Sequence, residues 1–270
     1  MPTHIAPLRR FDTSRPDAWW LAPVATGAGL VLLFGYLTYR AFHPVYVWSE
    51  PYISPTVAPP VFTDPAGPPG SVPVGHAWLG PFPAWWPSFV PQSPAFVLPW
   101  LAIVFRITCY YYRGAYYKGL FLTPPACAVR GVSHRYRGET TLLLFQNLHR
   151  YALYAGLFLL VTLWWEAGAA FFRAGRFGIG VGTVVMVINA ALLSSWTLGC
   201  HSWRHLIAGR RDCFSCGRGT SARYHVWRGS SWLNERHLLF AWCSLVWVAV
   251  TDLYVLLVSS ATIQDWNTWR

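Results

Sequence analysis

The chain has 270 residues, of which 54% are hydrophobic and only 11% are charged, yet its formal net charge is +11. A soluble domain usually carries about 25% charged residues, and so few charges could not cover the surface of a water-soluble globule. The composition therefore argues against a soluble enzyme domain, a disordered chain and a nucleic-acid-binding domain. Six cysteines are too few for a disulfide scaffold. We also expect no cleaved signal peptide, because the first apolar run is long enough to remain as a span.

Five apolar stretches are long enough to cross a bilayer, which takes about 20 mostly apolar residues in a helix. The predicted spans are 19–41, 93–112, 151–172, 177–205 and 238–263. The segments around them are a tail at 1–18, a proline-rich outer loop at 42–92, a basic connection at 113–150 and a cysteine-containing loop at 206–237. Pro94, Pro99 and Arg106 weaken the second span. The predicted fold class is an all-α integral membrane protein with five transmembrane helices.

Lysine and arginine divide unequally between the two sides of this topology. Of the 21 lysine and arginine residues, all but four lie in the tail or in the connections 106–150 and 204–236. These three segments share one side of the membrane. The exceptions are Arg40, Arg173, Arg176 and Arg270. The positive-inside rule then places the N-terminus in the cytoplasm and the C-terminus outside a plasma (inner) membrane. The proline-rich loop lies outside, and its Trp78, Trp85, Trp86 and Phe89 would form an interfacial aromatic belt, a lid or a subunit contact.

Histidines and cysteines concentrate at the cytoplasmic ends of three spans. His149 opens the third span and His237 opens the fifth, while Cys200, His201 and His205 close the fourth. Because three separate spans contribute, this convergence does not follow from sequence proximity alone.

The densest motif runs from Cys200 to Cys216. His201 and His205 are four residues apart and share one face of a helix. Cys213 and Cys216 form a two-spaced pair that is typical of a metal-binding loop. We therefore predict His201, His205, Cys213 and Cys216 as ligands of either a tetrahedral zinc ion or a Rieske-type [2Fe–2S] cluster.

Alternatives to this ligand set remain open. Cys200 becomes a ligand only where the helix breaks, since adjacent residues diverge by about 100° on a regular helix. His149 and His237 are reserves, either as ligands or near the quinone. Either of them paired with His201 or His205 would also suit haem b, which two histidines from different helices hold. Cys109, Cys127 and Cys243 have no such neighbours in the sequence and are interpreted as small apolar residues.

Several segments resemble the membrane-anchor subunit of actinobacterial succinate dehydrogenase, in particular its haem-free, five-helix mycobacterial type. They are 146–151, 198–205, 212–216, 234–237 and 251–254. The resemblance implies a respiratory complex II, in which a flavoprotein subunit oxidises succinate and an iron–sulfur subunit docks on the cytoplasmic face. It also implies a Rieske-type cluster in the anchor, which passes electrons to a membrane quinone. The chain departs from the usual Rieske pattern, because Cys200 and His201 are adjacent and no histidine follows Cys216 closely.

Residues for the quinone and its protons are predicted from their position. Trp203, Arg204 and Tyr224 supply aromatic walls and a cation near the relay, although interfacial aromatics are common for other reasons. Glu166 and Asp252 are intramembrane carboxylates and therefore candidate proton sites, unless they merely face water.

The basic cytoplasmic surface would attract an acidic partner subunit and anionic lipids, and a higher oligomer is possible. Haem b binding, or a zinc-stabilised scaffold without a redox role, are the competing functions.

Overall fold

The computed structural model describes residues 10–132, 143–209, 213–214, 216–217 and 220–269. Parts of the predicted tail, basic connection and cysteine-containing loop, and Arg270, lie outside them. The described chain is mostly helical, with helices α1 (Leu21–Phe42), α2 (Trp100–Thr108), α3 (Tyr110–Gly119), α4 (Leu143–Ala169), α5 (Val181–Leu198), α6 (His201–Ala208), α7 (Thr220–Glu235) and α8 (His237–Ser259). Two short antiparallel hairpins pair β1 (Trp48–Ser49) with β2 (Tyr52–Ile53) and β3 (Phe172–Arg173) with β4 (Arg176–Phe177).

Four helices of the described chain are long and apolar enough to cross a membrane: α1, α4 over Asn147–Ala169, α5 and α8. They correspond to the first, third, fourth and fifth predicted spans. The second predicted span is not one helix, because a 3-10 turn at Pro94–Phe96 leads into α2, which ends before Cys109. The nine residues of α2 reach about 14 Å, against a hydrocarbon core of about 30 Å. The five-span count is therefore not confirmed, and the orientation stays a prediction.

Two helices break at a cysteine. Cys109 separates α2 from α3 with an extended backbone (φ −66°, ψ 133°). Cys200 precedes α6 with nearly the same conformation (φ −66°, ψ 141°), so the predicted fourth span ends as a helix at Leu198 rather than at His205. The condition that we set for Cys200 as a ligand, a helix break at that residue, is met.

The helices pack into one bundle in which α5 lies along α8, α4 contacts α2 and α5, and α1 contacts α3. Gly27 of α1 and Gly119 of α3 make the last of these contacts close. A Cβ atom on Gly27 would lie 2.6 Å from the carbonyl oxygen of Gly119, so only glycine permits this approach.

The first part of the proline-rich segment belongs to the core, which the sequence did not indicate. Val47, Tyr52, Ile53 and Val57 are at most 1% exposed and pack with apolar residues of α4, α5 and α8. Of the predicted belt residues, Trp78, Trp85 and Phe89 are exposed and Trp86 is half-buried, which is compatible with an interfacial belt.

A buried ion pair ties this segment to the helices. The Nε atom of Arg40 on α1 donates to Oδ2 of Asp252 on α8 over 2.7 Å, and both side chains are at most 4% exposed. The hydroxyl of Tyr36 donates to the same carboxylate over 2.5 Å. The hydroxyls of Ser54 and Thr56 from the loop also donate to this carboxylate. Asp252 is therefore fully buried, accepts hydrogen bonds from four side chains and does not face water.

Candidate functional site

The four predicted metal ligands do not form one group. His201 and His205 lie on α6 with exposed side chains, and Cys213 and Cys216 are joined to each other by a disulfide. A sulfur atom in a disulfide is not a thiolate and is not available as a ligand. Across the described ranges, no group of three or more His, Cys, Asp or Glu side chains is arranged to hold a metal ion.

A different set of two cysteines and two histidines meets inside the bundle. The Nε2 atom of His149 lies 3.0 Å from Sγ of Cys200, and Nε2 of His237 lies 3.6 Å from Sγ of Cys109. The two pairs adjoin, because Cys109 and Cys200 belong to one buried cluster and Trp196 lies between His237 and the Phe105 ring that stacks on His149. All four side chains are buried, with exposed fractions between 2% and 7%. We call these residues, Cys109, His149, Cys200 and His237, the Cys₂His₂ group.

The helix breaks bring the two thiols into the bundle. Cys109 and Cys200 occupy the junctions α2–α3 and α5–α6, where an extended residue turns the chain between two helices. His149 lies on α4, and His237 is the first residue of α8. Four distant parts of the chain therefore supply the group, and no local sequence motif contains it.

Hydrogen bonding orients His149. The hydroxyl of Thr108 donates to the carbonyl of Val104 over 2.8 Å and lies 3.0 Å from Nδ1 of His149. Because the hydroxyl proton is directed to Val104, the arrangement favours an Nδ1–H that donates to Thr108. The lone pair on Nε2 then points towards Cys200. A ligating histidine is normally held in this way through its second ring nitrogen.

Aromatic rings enclose the group. Phe105 stacks on His149 with ring centroids 4.7 Å apart and an interplanar angle of 3°. Trp196 contacts Phe105 at 4.8 Å and stacks on His237 at 6.3 Å. Nδ1 of His237 is buried and has no hydrogen-bond partner among the described residues. The rings exclude water from the site and leave one imidazole nitrogen unsatisfied.

A cavity of about 320 Å³ lies beside the group, between α1, α2, α4 and α5. Phe105, Trp196 and Arg106 form part of its wall and are at most 5% exposed. At the other end the lining residues Phe42 and Trp100 are 50% and 44% exposed. The cavity is therefore mostly apolar and extends from the bundle surface to the rings that enclose the Cys₂His₂ group.

Arg106 is the cation of this cavity. Its Nη2 atom donates to the hydroxyl of Ser244 over 3.2 Å, and Nη1 donates to the hydroxyl of Tyr112. Its Cζ atom lies 4.3 Å from the centre of the Trp196 ring. These partners are neutral, so they leave the positive charge of the guanidinium beside the cavity uncompensated.

The predicted quinone residues lie elsewhere. Trp203 packs against the core around Cys200, and Arg204 donates to Oδ1 of Asn234 over 3.1 Å. Tyr224 stacks on Trp227 with centroids 6.1 Å apart. None of the three predicted residues belongs to the lining of the large cavity.

The sequence contained a signal for Cys109, which we left out of the predicted ligands. The predicted topology already placed Cys109 near the cytoplasmic end of the second span, at the depth of His149, Cys200 and His237. We interpreted it as an apolar residue because it has no histidine or cysteine close to it in the sequence.

Comparisons with known proteins agree with one another. The family model for the actinobacterial succinate dehydrogenase subunit SdhC matches residues 21–261. A chain of the Mycobacterium smegmatis Sdh1 complex in the apo form is similar in structure, with a TM-score of 0.84 and 37% sequence identity. That similarity covers 99% of this chain and 97% of the other. No curated protein matches the chain significantly.

Proposed function

The chain belongs to the family of actinobacterial succinate dehydrogenase subunit SdhC, and from that premise we propose that it relays electrons through a Rieske-type [2Fe–2S] cluster to a membrane quinone. As a subunit, it does not itself oxidise succinate. The electrons would come from succinate through flavoprotein and iron–sulfur subunits of the complex.

The Cys₂His₂ group carries this proposal. Its two thiols and two imidazoles are the donor set of a Rieske-type cluster, in which each iron takes two protein ligands. In such a cluster two histidines bind one iron and two cysteines bind the other, so the ligand pairs would be His149 with His237 and Cys109 with Cys200. No three side chains then need to converge on one ion. The unsatisfied Nδ1 of His237 and the burial of all four residues support the same assignment. Cys109, His149, Cys200 and His237 would hold the cluster in place of the set His201, His205, Cys213 and Cys216.

The surrounding residues have defined roles in this proposal. A cluster with two neutral imidazoles supplies a one-electron carrier of raised reduction potential, which suits a quinone acceptor. Thr108 holds His149 in the tautomer that presents Nε2. Phe105 and Trp196 keep water from the site and separate it from the cavity by one layer of rings.

The quinone is proposed to bind in the large cavity rather than beside Trp203, Arg204 and Tyr224. A volume of about 320 Å³ suits a small-molecule site, and the exposed rim at Phe42 and Trp100 lets an apolar molecule enter from the bilayer. Arg106 would donate a hydrogen bond to a quinone oxygen and stabilise the negative charge that develops there.

The proposed docking surface for the iron–sulfur subunit is the positively charged surface of α7. Arg223, Arg228 and Arg236 are exposed on or next to α7, on the side that the positive-inside rule assigns to the cytoplasm. These arginines would attract an acidic iron–sulfur subunit and anionic lipid headgroups.

A spectrum of the purified complex tests the cluster, since a reduced Rieske-type centre gives an EPR signal of low average g. We expect Cys109→Ser and His237→Ala to abolish that signal, while Cys213→Ser/Cys216→Ser leaves it intact. If the signal is instead lost only in Cys213→Ser/Cys216→Ser, or in His201→Ala/His205→Ala, the ligands are those predicted from the sequence. A Soret band would indicate haem b, and a colourless protein containing zinc would indicate a scaffold.

A further inference from the structure

A glutamate and a histidine side chain lie together at the opposite end of the bundle from the Cys₂His₂ group. Oε2 of Glu166 on α4 lies 3.3 Å from Nε2 of His76 in the proline-rich segment. The carboxylate side chain is 3% exposed, whereas the imidazole is 30% exposed and packs against Trp48 with ring centroids 4.2 Å apart. The pair therefore joins a buried acid to a histidine that reaches solvent.

Glu166 lines a small cavity that contains polar groups. This cavity measures about 10 Å³ and is also lined by Asn189 and Thr251, which gives it about the space that one ordered water needs. Oδ1 of Asn189 is buried and has no hydrogen-bond partner among the described residues. An unsatisfied acceptor beside a carboxylate is a suitable partner for such a water.

The small cavity adjoins the large one. Pro55, Ala58 and Leu163 line both cavities. The space beside Glu166 therefore borders on the proposed quinone site.

The other buried carboxylate nearby does not suit proton transfer. Asp252 accepts hydrogen bonds from Arg40 and three hydroxyl groups, and a guanidinium stays protonated at all relevant pH values. Glu166 instead contacts the imidazole of His76, a group that can accept a proton on one ring nitrogen and release one from the other.

We propose that His76 and Glu166 deliver protons to the quinone in the large cavity from the membrane face that carries the proline-rich segment. The inference rests on the proposed function. Reducing one quinone to a quinol consumes two electrons, which come from succinate through the partner subunits, and two protons. Each proton passes from solvent to His76, then to the carboxylate of Glu166, and over one water to a quinone oxygen. Glu166 is then reprotonated through His76.

The complex reconstituted in liposomes tests this route, with a membrane-impermeant pH dye on one side. We expect proton uptake from the face that carries His76 during succinate-driven quinone reduction. Glu166→Gln should slow quinone reduction by about 100-fold, which is the lower end of the contribution of a positioned proton donor. Glu166→Asp should retain most of the rate. Glu50→Gln, a change to an exposed carboxylate on the same face, should have no effect.

Succinate oxidation by an artificial dye separates this inference from the proposed function. The dye rate should be unchanged in every variant, because the dye accepts electrons before the quinone site. A wild-type quinone rate in Glu166→Gln, or proton uptake from the opposite face, would overturn the route and leave the proposed function intact. A wild-type complex that reduces dye but no quinone would overturn the proposed function itself. If the complex with Glu166→Gln does not assemble, His76→Gln tests the route in its place. Slower quinone reduction in His76→Gln supports the route, and a wild-type rate overturns it.

Discussion

The Nε2 atom of His149 lies 3.0 Å from the Sγ atom of Cys200, although 51 residues separate them in the chain. The contact joins α4 to the junction between α5 and α6. It is matched by the contact of His237 with Cys109, which joins α8 to the junction between α2 and α3. Each histidine is thus held against a cysteine at a helix break.

Removing the Thr108 hydroxyl should weaken the cofactor site without unfolding the chain. Thr108→Val preserves the shape of the side chain but removes the acceptor for Nδ1 of His149, so the imidazole loses its orientation. Loss of such a partner typically lowers metal affinity by about 10-fold to 100-fold. Iron content and the EPR signal of the purified complex measure the effect. Thr162→Val is the matched control, because Thr162 is also buried and donates to a carbonyl of its own helix. An equal loss of iron in both variants would refute the role of Thr108.

Filling the large cavity should block quinone reduction. Ala102 lines the cavity, and in Ala102→Trp the indole would occupy the volume that a quinone headgroup needs. We expect the rate with quinone to fall by about tenfold or more, while succinate oxidation by an artificial dye continues. Ala28→Trp places the same side chain on the exposed face of α1 and should leave both rates unchanged. Full quinone reduction by Ala102→Trp would place the quinone elsewhere, with Trp203, Arg204 and Tyr224 as the next candidates.

Breaking the buried ion pair should destabilise the bundle strongly. Arg40→Met leaves the buried carboxylate of Asp252 without its cation, and loss of one partner from a buried pair typically costs about 3–5 kcal/mol. Denaturant unfolding in detergent measures the change. The double variant Arg40→Met/Asp252→Leu should recover part of the loss, because no charge is then left unpaired. Arg15→Met, which removes an exposed ion pair with Asp17, should have little effect. A double variant less stable than Arg40→Met would contradict this account.

The close approach of α1 and α3 should be sensitive to a single methyl group. In Gly27→Ala the added Cβ would lie 2.6 Å from a backbone oxygen of Gly119, which has no alternative rotamer. We expect a loss of about 1–3 kcal/mol in the free energy of unfolding, as for other overpacked sites. Gly35→Ala in the same helix meets nothing within 4 Å, and it should be neutral or slightly stabilising because alanine favours helix. Equal stabilities of the two variants would show that the helices can separate at no cost.

The class of protein, four of its long apolar helices and its family could be predicted from the amino-acid sequence. These properties depend on composition, on runs of apolar residues and on local motifs, all of which can be read without knowing which helices touch. The depth at which His149, Cys200 and His237 meet was also predictable, because it follows from where each span ends.

Which side chains meet could not be predicted in this way, because it depends on how the helices pack. Cys109 and Cys200 face the histidines because the chain breaks its helices at those two residues, and a break depends on packing more than on the local apolar pattern. The nearby pair Cys213 and Cys216 was the stronger signal in the sequence, yet these residues bond to each other. The cavity beside Arg106, and the contact of Glu166 with a loop histidine 90 residues away, likewise depend on how α1, α2, α4 and the proline-rich segment pack.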